Sequence, residues 1–292
     1  MDNKRAYIKF IIALLLFGSN GIVASRIQLN SYEIVFTRTL IGSLLLVILF
    51  AATHRPLHFF DNRQHAIYLV ISGAAMGASW MFLFEAYRQV GVSIATLIYY
   101  CGPVIVMALS PVLYQEKLTP VKTIGFLAVL AGMVCINLQA LTEGNTIWGL
   151  FCGLMSAVMF ALMVISNKQA RSIGGLENPM WQLVFSFLAV ALYVGFRQGL
   201  VITIEPGSIL PILLLGLINT GLGCYLYFSS LGSLPVQSVS ICGYLDPLSA
   251  VIFSVVFLGE PLGLERLLGG VLILGGAAFG ELYGRRGWSF EI

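Results

Sequence analysis

An aspartate placed directly before a proline, Asp246-Pro247, stands in the middle of an apolar run from 236 to 258. A carboxylate at the centre of a membrane helix costs about 2.5 to 3.5 kcal/mol on insertion scales, enough to demand a compensating role. Two roles are open. Asp246 can accept bonds from hydroxyls or amides on neighbouring helices and hold an interrupted helix in place, or it can bind a solute amine and carry a proton. Around it in the sequence pattern fall Trp80, Tyr99, Tyr100, Tyr225, Tyr227 and Tyr244, whose rings suit a cavity for flat or cationic solutes.

Other polar residues within apolar runs extend this set. Asn20 lies in Phe17-Gly18-Ser19-Asn20-Gly21, where small residues allow close helix packing and the amide either bonds a neighbour or lines a cavity. The corresponding stretch of the sixth apolar run, Phe160 to Val164, offers Met163 and no amide, so polar contact at this level is one-sided. Arg38 sits about six residues, roughly 9 Å, inside the second run. It reads either as an interfacial anchor that snorkels outward or as a pivot or gate contact. Glu85 and Arg88 share a helical face, for which an ion pair is the economical reading; turned inward, Glu85 would join an outer gate. Pro103 and Pro247 each remove a backbone donor near mid-membrane and free the carbonyl four residues back for another partner.

Catalysis and metal binding find less support. A lipid-modifying enzyme needs a nucleophile and base in mutual reach at one interface, and the chain offers no such cluster, so it reads as a non-enzyme. His54, His58 and His65 crowd one loop, but Pro56 prevents the regular helix that would set their geometry, and a solvated loop is preferred to a metal site. No cofactor is expected. The five cysteines fall in apolar runs without a C-x-x-C pair and read as small buried hydrophobes.

The elements that must position these residues are membrane helices. Hydrophobic residues make up 58% of the chain and charged ones 10%, with mean hydropathy +0.91, outside the range of soluble domains. Ten spans are predicted: 7 to 27, 32 to 52, 65 to 87, 92 to 114, 120 to 138, 147 to 168, 179 to 198, 208 to 231, 236 to 258 and 264 to 283. The first is read as an uncleaved helix, since losing it would strip the sixth span of its counterpart. Eleven of the 16 basic residues then fall on the side of the N-terminus and four on the other, which places both termini in the cytoplasm. Dispersed at helix ends, these charges give no reason to expect nucleic-acid binding. The lipid bilayer, a small-molecule substrate and protons are the partners to expect, with the oligomeric state open.

The chain also repeats itself. Residues 92 to 132 align without a gap with 236 to 276, at the spacing that carries position 103 onto 247. Tyr100 meets Tyr244, Pro103 meets Pro247, Glu116 meets Glu260, Gly125 meets Gly269 and Gly132 meets Gly276; the same register carries Gly77 onto Gly221 and Arg38 onto Gln182. Five spans per half is an odd number, so the second half, 145 to 292, enters the membrane upside down relative to the first, 1 to 140. The expected fold is all-α integral membrane, with ten transmembrane helices as two inverted five-helix repeats. That build suits alternating access around a midplane site. Glu116 and Glu260 are read as stabilisers of helix ends and adjoining loops.

The doubled pattern of mid-helix proline, helix-end glutamate and two later glycines resembles the EamA-type branch of the drug/metabolite transporter superfamily. Phe17 to Asn20, Arg38 and Asp246-Pro247 are similar to features of that family's first, second and ninth helices. The resemblance implies a ten-helix transporter of the bacterial inner membrane, commonly an exporter, with a cavity lined by helices one, three, four, six, eight and nine. Amino acids or related amines are the expected solutes. One departure stands out: Gly102 occupies the position where the second repeat has Asp246.

Overall fold

Helix starts in this chain are written in its polar residues. Asn30 caps the helix α3 (Ser31–Ala52) by accepting from the Tyr32 and Glu33 amides, while Glu33 accepts from the Asn30 amide, a reciprocal capping box. Asn62 accepts from the His65 amide ahead of α4 (Arg63–Val90), and Thr146 from the Gly149 amide ahead of α7 (Ile147–Gln169). Gly91, at φ +82°, turns the chain sharply from α4 into α5 (Val92–Tyr99), a conformation that side chains resist.

The computed structural model describes residues 3–102, 105–106, 109, 120–142, 146–231, 242–243, 245–261 and 263–284. The remaining elements in chain order are α1 (Asn3–Gly18), α2 (Asn20–Ala24), α6 (Pro120–Thr142), α8 (Glu177–Gln198), α9 (Pro206–Leu213), α10 (Gly223–Leu231), α11 (Leu245–Phe253) and α12 (Leu264–Gly284). Two π-helical segments, Leu214–Leu222 and Ser254–Leu258, interrupt the eighth and ninth predicted spans. The described residues form helices and no strands. Among the described residues five helical stretches are long and apolar enough to cross a membrane: Ser31–Ala52, Arg63–Val90, Ile147–Gln169, Glu177–Gln198 and Pro206–Tyr227. Of the other predicted spans, those at 120–138 and 264–283 fall within the long helices α6 and α12, while the first is built from α1 and α2, which meet at Ser19.

Outward faces carry a belt of exposed apolar side chains, including Ile48, Leu192, Phe196, Val256 and Val271, as a lipid-facing surface requires. Inside, α4 packs along α7 and α8, α3 along α8 and the Leu214–Leu222 segment, and α1 along α10 and α11. Small residues set the closest approaches. A Cβ on Gly132 would lie 2.6 Å from the Gly269 carbonyl, and one on Gly276 would lie 2.9 Å from the Gly125 carbonyl. These two contacts between α6 and α12 exchange into one another under the sequence register, since Gly132 aligns with Gly276 and Gly125 with Gly269. Where α5 meets α11, rising numbers on one helix meet falling numbers on the other: Val92 with Glu260, Ser93 with Ser254 and Tyr100 with Asp246. The two segments therefore run antiparallel.

Three of the five cysteines are buried, Cys242 is partly buried, and Cys135 is exposed on α6; all five are free thiols. The exposure of Cys135 corrects the expectation of uniform burial. A thiol is apolar enough to face lipid without penalty.

Candidate functional site

Asp246 stands in the first turn of α11, and the Tyr100 hydroxyl at the end of α5 donates to its Oδ2. The helix can come this close to the first span because residue 18 is glycine: a Cβ there would sit 2.9 Å from the Asp246 carbonyl oxygen and collide with Ser249. Ser249 in turn donates to that carbonyl at 2.9 Å, while Pro247 is buried. In the first half, a Cβ on Gly102 would lie 2.6 Å from the Phe160 ring and 3.0 Å from the Ala157 carbonyl. The absence of a carboxylate in that half thus has a steric cause: α7 occupies the space a side chain would need.

The Tyr100 ring that holds the carboxylate belongs to an aromatic group. Tyr99 meets Tyr100 edge-on at 5.4 Å between centroids and Phe160 at 5.2 Å. Tyr227 packs on Phe10 at 5.1 Å and Phe17 at 5.8 Å, beside Leu245. Pro103 and Tyr244 lie outside the described residues, as does Glu116.

Arg38 forms the other pole. Its side chain is 1% exposed, so it does not snorkel to an interface as one reading of the sequence had it. Nε donates to the Thr220 hydroxyl at 3.0 Å, and the guanidinium lies 4.3 Å from the Trp80 ring centroid and 5.0 Å from that of Phe84. Nη1 has no hydrogen-bond partner among the described residues. The π-helical turn explains how Thr220 is available: its hydroxyl donates five residues back to the Leu215 carbonyl at 2.7 Å and still accepts from Arg38. Next to it, Asn219 donates to the Leu16 carbonyl and the Ser19 hydroxyl, fastening the first span at its interruption. Asn20 Oδ1 is buried beside this knot without a hydrogen-bond partner among the described residues.

Trp80, Met163 and Tyr225 border one apolar cluster centred on Leu46, Met76, Leu183 and Cys224. The Met163 carbonyl accepts from Ser72, whose hydroxyl also accepts from Gln182, the register counterpart of Arg38. Arg38 and Gln182 therefore do the same work in opposite halves, each tying its helix to a hydroxyl across the bundle. Lys9 on α1 lies 5.9 Å from the Tyr225 centroid.

Glu85 does not pair with Arg88. Its carboxylate accepts instead from the Ser31 hydroxyl at 2.7 Å and the Gln89 amide at 2.9 Å, because Ser31 at the start of α3 lies closer than the flexible arginine. Among the described residues the ion-pair geometry is confined to His58 and Asp61, 3.0 Å apart; His65 meets Ser172 at 2.8 Å. No group of three metal-ligating side chains occurs among the described residues. Glu260 accepts from the Val92 and Ser93 amides at 2.6 and 2.9 Å, capping α5 as the reading of helix-end glutamates anticipates.

Glu177 was missed in the sequence. Nearly fully buried, it accepts from the His58 amide at 2.9 Å and the Phe59 amide at 2.9 Å. The signal that could have found it is its alignment with Glu33 under the repeat register. A cleft of about 600 Å³ opens at the far end of the molecule, lined by residues such as Asn30, Glu33, Arg88, Val201 and Thr203, away from Asp246.

The sequence model of the EamA-like transporter family matches residues 4–138 and again 147–280. The chain belongs to the EamA-like transporter family. This family is a branch of the drug/metabolite transporter superfamily. An uncharacterized transporter of Bacillus subtilis (strain 168), YxxF, is 26% identical over 95% of this chain and 89% of its own. YicL of Salmonella typhimurium (strain LT2), described as an uncharacterized inner membrane transporter, is 25% identical over 98% of both chains. A solved structure superposes with a TM-score of 0.68 at 20% identity, covering 96% of this chain and 99% of that one, which speaks to the fold alone. With its lipid-facing belt and spanning helices, this EamA-family chain is a membrane transporter.

Proposed function

We propose that the protein exports small organic metabolites, amino acids or related amines, across the bacterial inner membrane by alternating access between two inverted five-helix repeats. The observation that carries the proposal is Asp246, a carboxylate held at the junction of α5 and α11 by Tyr100, whose ring meets Tyr99 edge-on. Among the described residues its partner is a single hydroxyl, so the carboxylate keeps lone pairs for an ammonium group, and the Tyr99 and Tyr100 rings favour a cation. Arg38, buried against Trp80 and Phe84, supplies the opposite charge.

Inversion of the repeats is supported by the register-exchanged glycine contacts of α6 with α12 and by the antiparallel run of α5 against α11. On this reading the halves are residues 1–140 and 145–292, the ten predicted spans all cross, and both termini face the cytoplasm. Two similar halves inserted upside down reach each other's conformation at similar energy, so one site is served from either face. Asn20, Trp80, Tyr99, Tyr100, Met163, Tyr225, Tyr227, Tyr244 and Asp246 form the solute path, with Arg38, Glu85, Pro103 and Pro247 at its pivots and breaks.

The test is solute flux by the full chain in proteoliposomes, with a panel of labelled amino acids and their decarboxylated amines. Saturable flux of at least one member supports the proposal. Flux of none of them, in protein that remains folded, overturns the substrate class.

A further inference from the structure

The repeat register carries Glu33 onto Glu177 and carries His58 and Phe59 onto Ile202 and Thr203, with the same chain length between glutamate and loop in each half. Related residues in related halves would make related contacts, but the two ends differ. At one end Glu177 is 2% exposed and accepts from the amides of both His58 and Phe59, so the loop is clasped to the start of α8. At the other end the Glu33 carboxylate is turned to its own cap, accepting from the Asn30 amide at 2.9 Å and the Gln198 side chain at 3.2 Å. Thr203 and Glu33 instead face each other across the open cleft of about 600 Å³.

We propose that Glu33 and Glu177 are the two halves of an exchange latch. In this conformation Glu177 holds the 58–59 loop and shuts its end, while the Glu33 end stands open. In the opposite conformation Glu33 takes the amides of Ile202 and Thr203 and closes the cleft, and Glu177 releases His58 and Phe59. Each carboxylate can accept several backbone amides, so the hydrogen bonds lost at one end are regained at the other.

The halves of the latch are unequal. Phe59 stacks on Trp181 at 4.5 Å and packs on Phe185 at 5.5 Å, behind the Glu177 clasp. Their register counterparts are Thr203, Thr37 and Ile41, which offer no aromatic surface. The resting population is therefore weighted toward the conformation described here, closed at the end that carries Arg55, Arg63, Lys168 and Arg171.

The inference rests on the alternating-access reading, and the two separate in experiment: absent solute flux overturns that reading's transport claim, whereas the latch is read from distances alone. The experiment uses the full chain with its five native cysteines replaced, in lipid nanodiscs. Spin labels are placed on two register-matched pairs, Ser25 with Val201 across the cleft and Gln169 with Leu57 at the opposite end. Glu177→Gln is expected to raise the fraction with a shortened 25–201 and lengthened 57–169 distance by roughly tenfold, the effect of losing about one charge-assisted hydrogen bond. Glu177→Asp, which keeps the charge, shifts it less. Adding Glu33→Gln to Glu177→Gln is expected to return the fraction toward the wild-type value. The latch is overturned if Glu177→Gln leaves both distances unchanged, or lengthens 57–169 without shortening 25–201, or if Glu33→Gln has no effect on the new population.

Discussion

Replacing Glu260 by glutamine tests whether the two halves are fastened through the α5 cap. The carboxylate takes the first two amides of a helix of eight residues, from Val92 at 2.6 Å and Ser93 at 2.9 Å. Those amides have no partner within the helix, and Gly91 before them, at φ +82°, cannot supply a side-chain cap. Hydrogen bonds to a charged group contribute about 1.5 to 3 kcal/mol each, and a negative charge at a helix N-terminus adds about 0.3 to 1 kcal/mol. Glutamine keeps one oxygen acceptor, loses the charge, and turns an NH₂ donor toward a backbone donor. With Glu260 partly exposed, solvent screening trims the net loss to about 2 to 3 kcal/mol. In a protein of 292 residues that corresponds to a Tm lower by roughly 3 to 5 °C. The assay is thermal unfolding of detergent-purified protein followed by size-exclusion chromatography, with Glu260→Asp as the charge-retaining control. An unchanged Tm in Glu260→Gln would refute the account of the cap, and with it the claim that this carboxylate joins the halves.

Other perturbations follow from the same geometry. Tyr100→Phe removes the hydroxyl that orients Asp246 and is expected to raise the KM for solute about tenfold while leaving the melting temperature within a few degrees, read from initial-rate flux and unfolding. Gly18→Val drives a side chain into Ser249 and the Asp246 backbone, costing about 1 to 3 kcal/mol of stability and most of the flux. Gly102→Asp, which would make the halves chemically alike, is expected to fail in expression, because Phe160 and Ala157 fill the space; a folded and active variant would contradict the steric explanation of the single charge. Arg38→Met should cost no more than about 1 kcal/mol, since a buried cation with an unpaired Nη1 already bears its desolvation, and a loss beyond about 3 kcal/mol on unfolding would point to a buried acid partner.

The spacing of apolar residues made the helices legible, and the doubled Pro, Glu and Gly pattern made the repeat register legible; that the aligned glycines Gly132 and Gly276 lie at mutual helix contacts is visible only in the structure. Directions of side chains were not legible. Glu85 and Arg88 share a helical face, yet Glu85 turns to Ser31 because a neighbouring helix start lies closer, a tertiary fact that spacing on one helix does not encode. Arg38 could not be told from a snorkelling anchor, since burial depends on whether Trp80, Phe84 and Thr220 close over it. The π-helical turn that frees Thr220 leaves no signature in composition. Glu177 was readable through the register with Glu33, but its loop partners are backbone amides, which every residue but proline possesses.

The most direct test of the central claim is counterflow of a transported amino acid or amine in proteoliposomes, wild type against Asp246→Asn, with and without an imposed pH gradient. The account predicts saturable counterflow in the wild type and a loss of at least tenfold in Asp246→Asn, whose melting temperature stays close to the wild-type value, while the gradient response separates a proton-coupled carrier from a facilitator. Equal counterflow by both proteins under both conditions would contradict it.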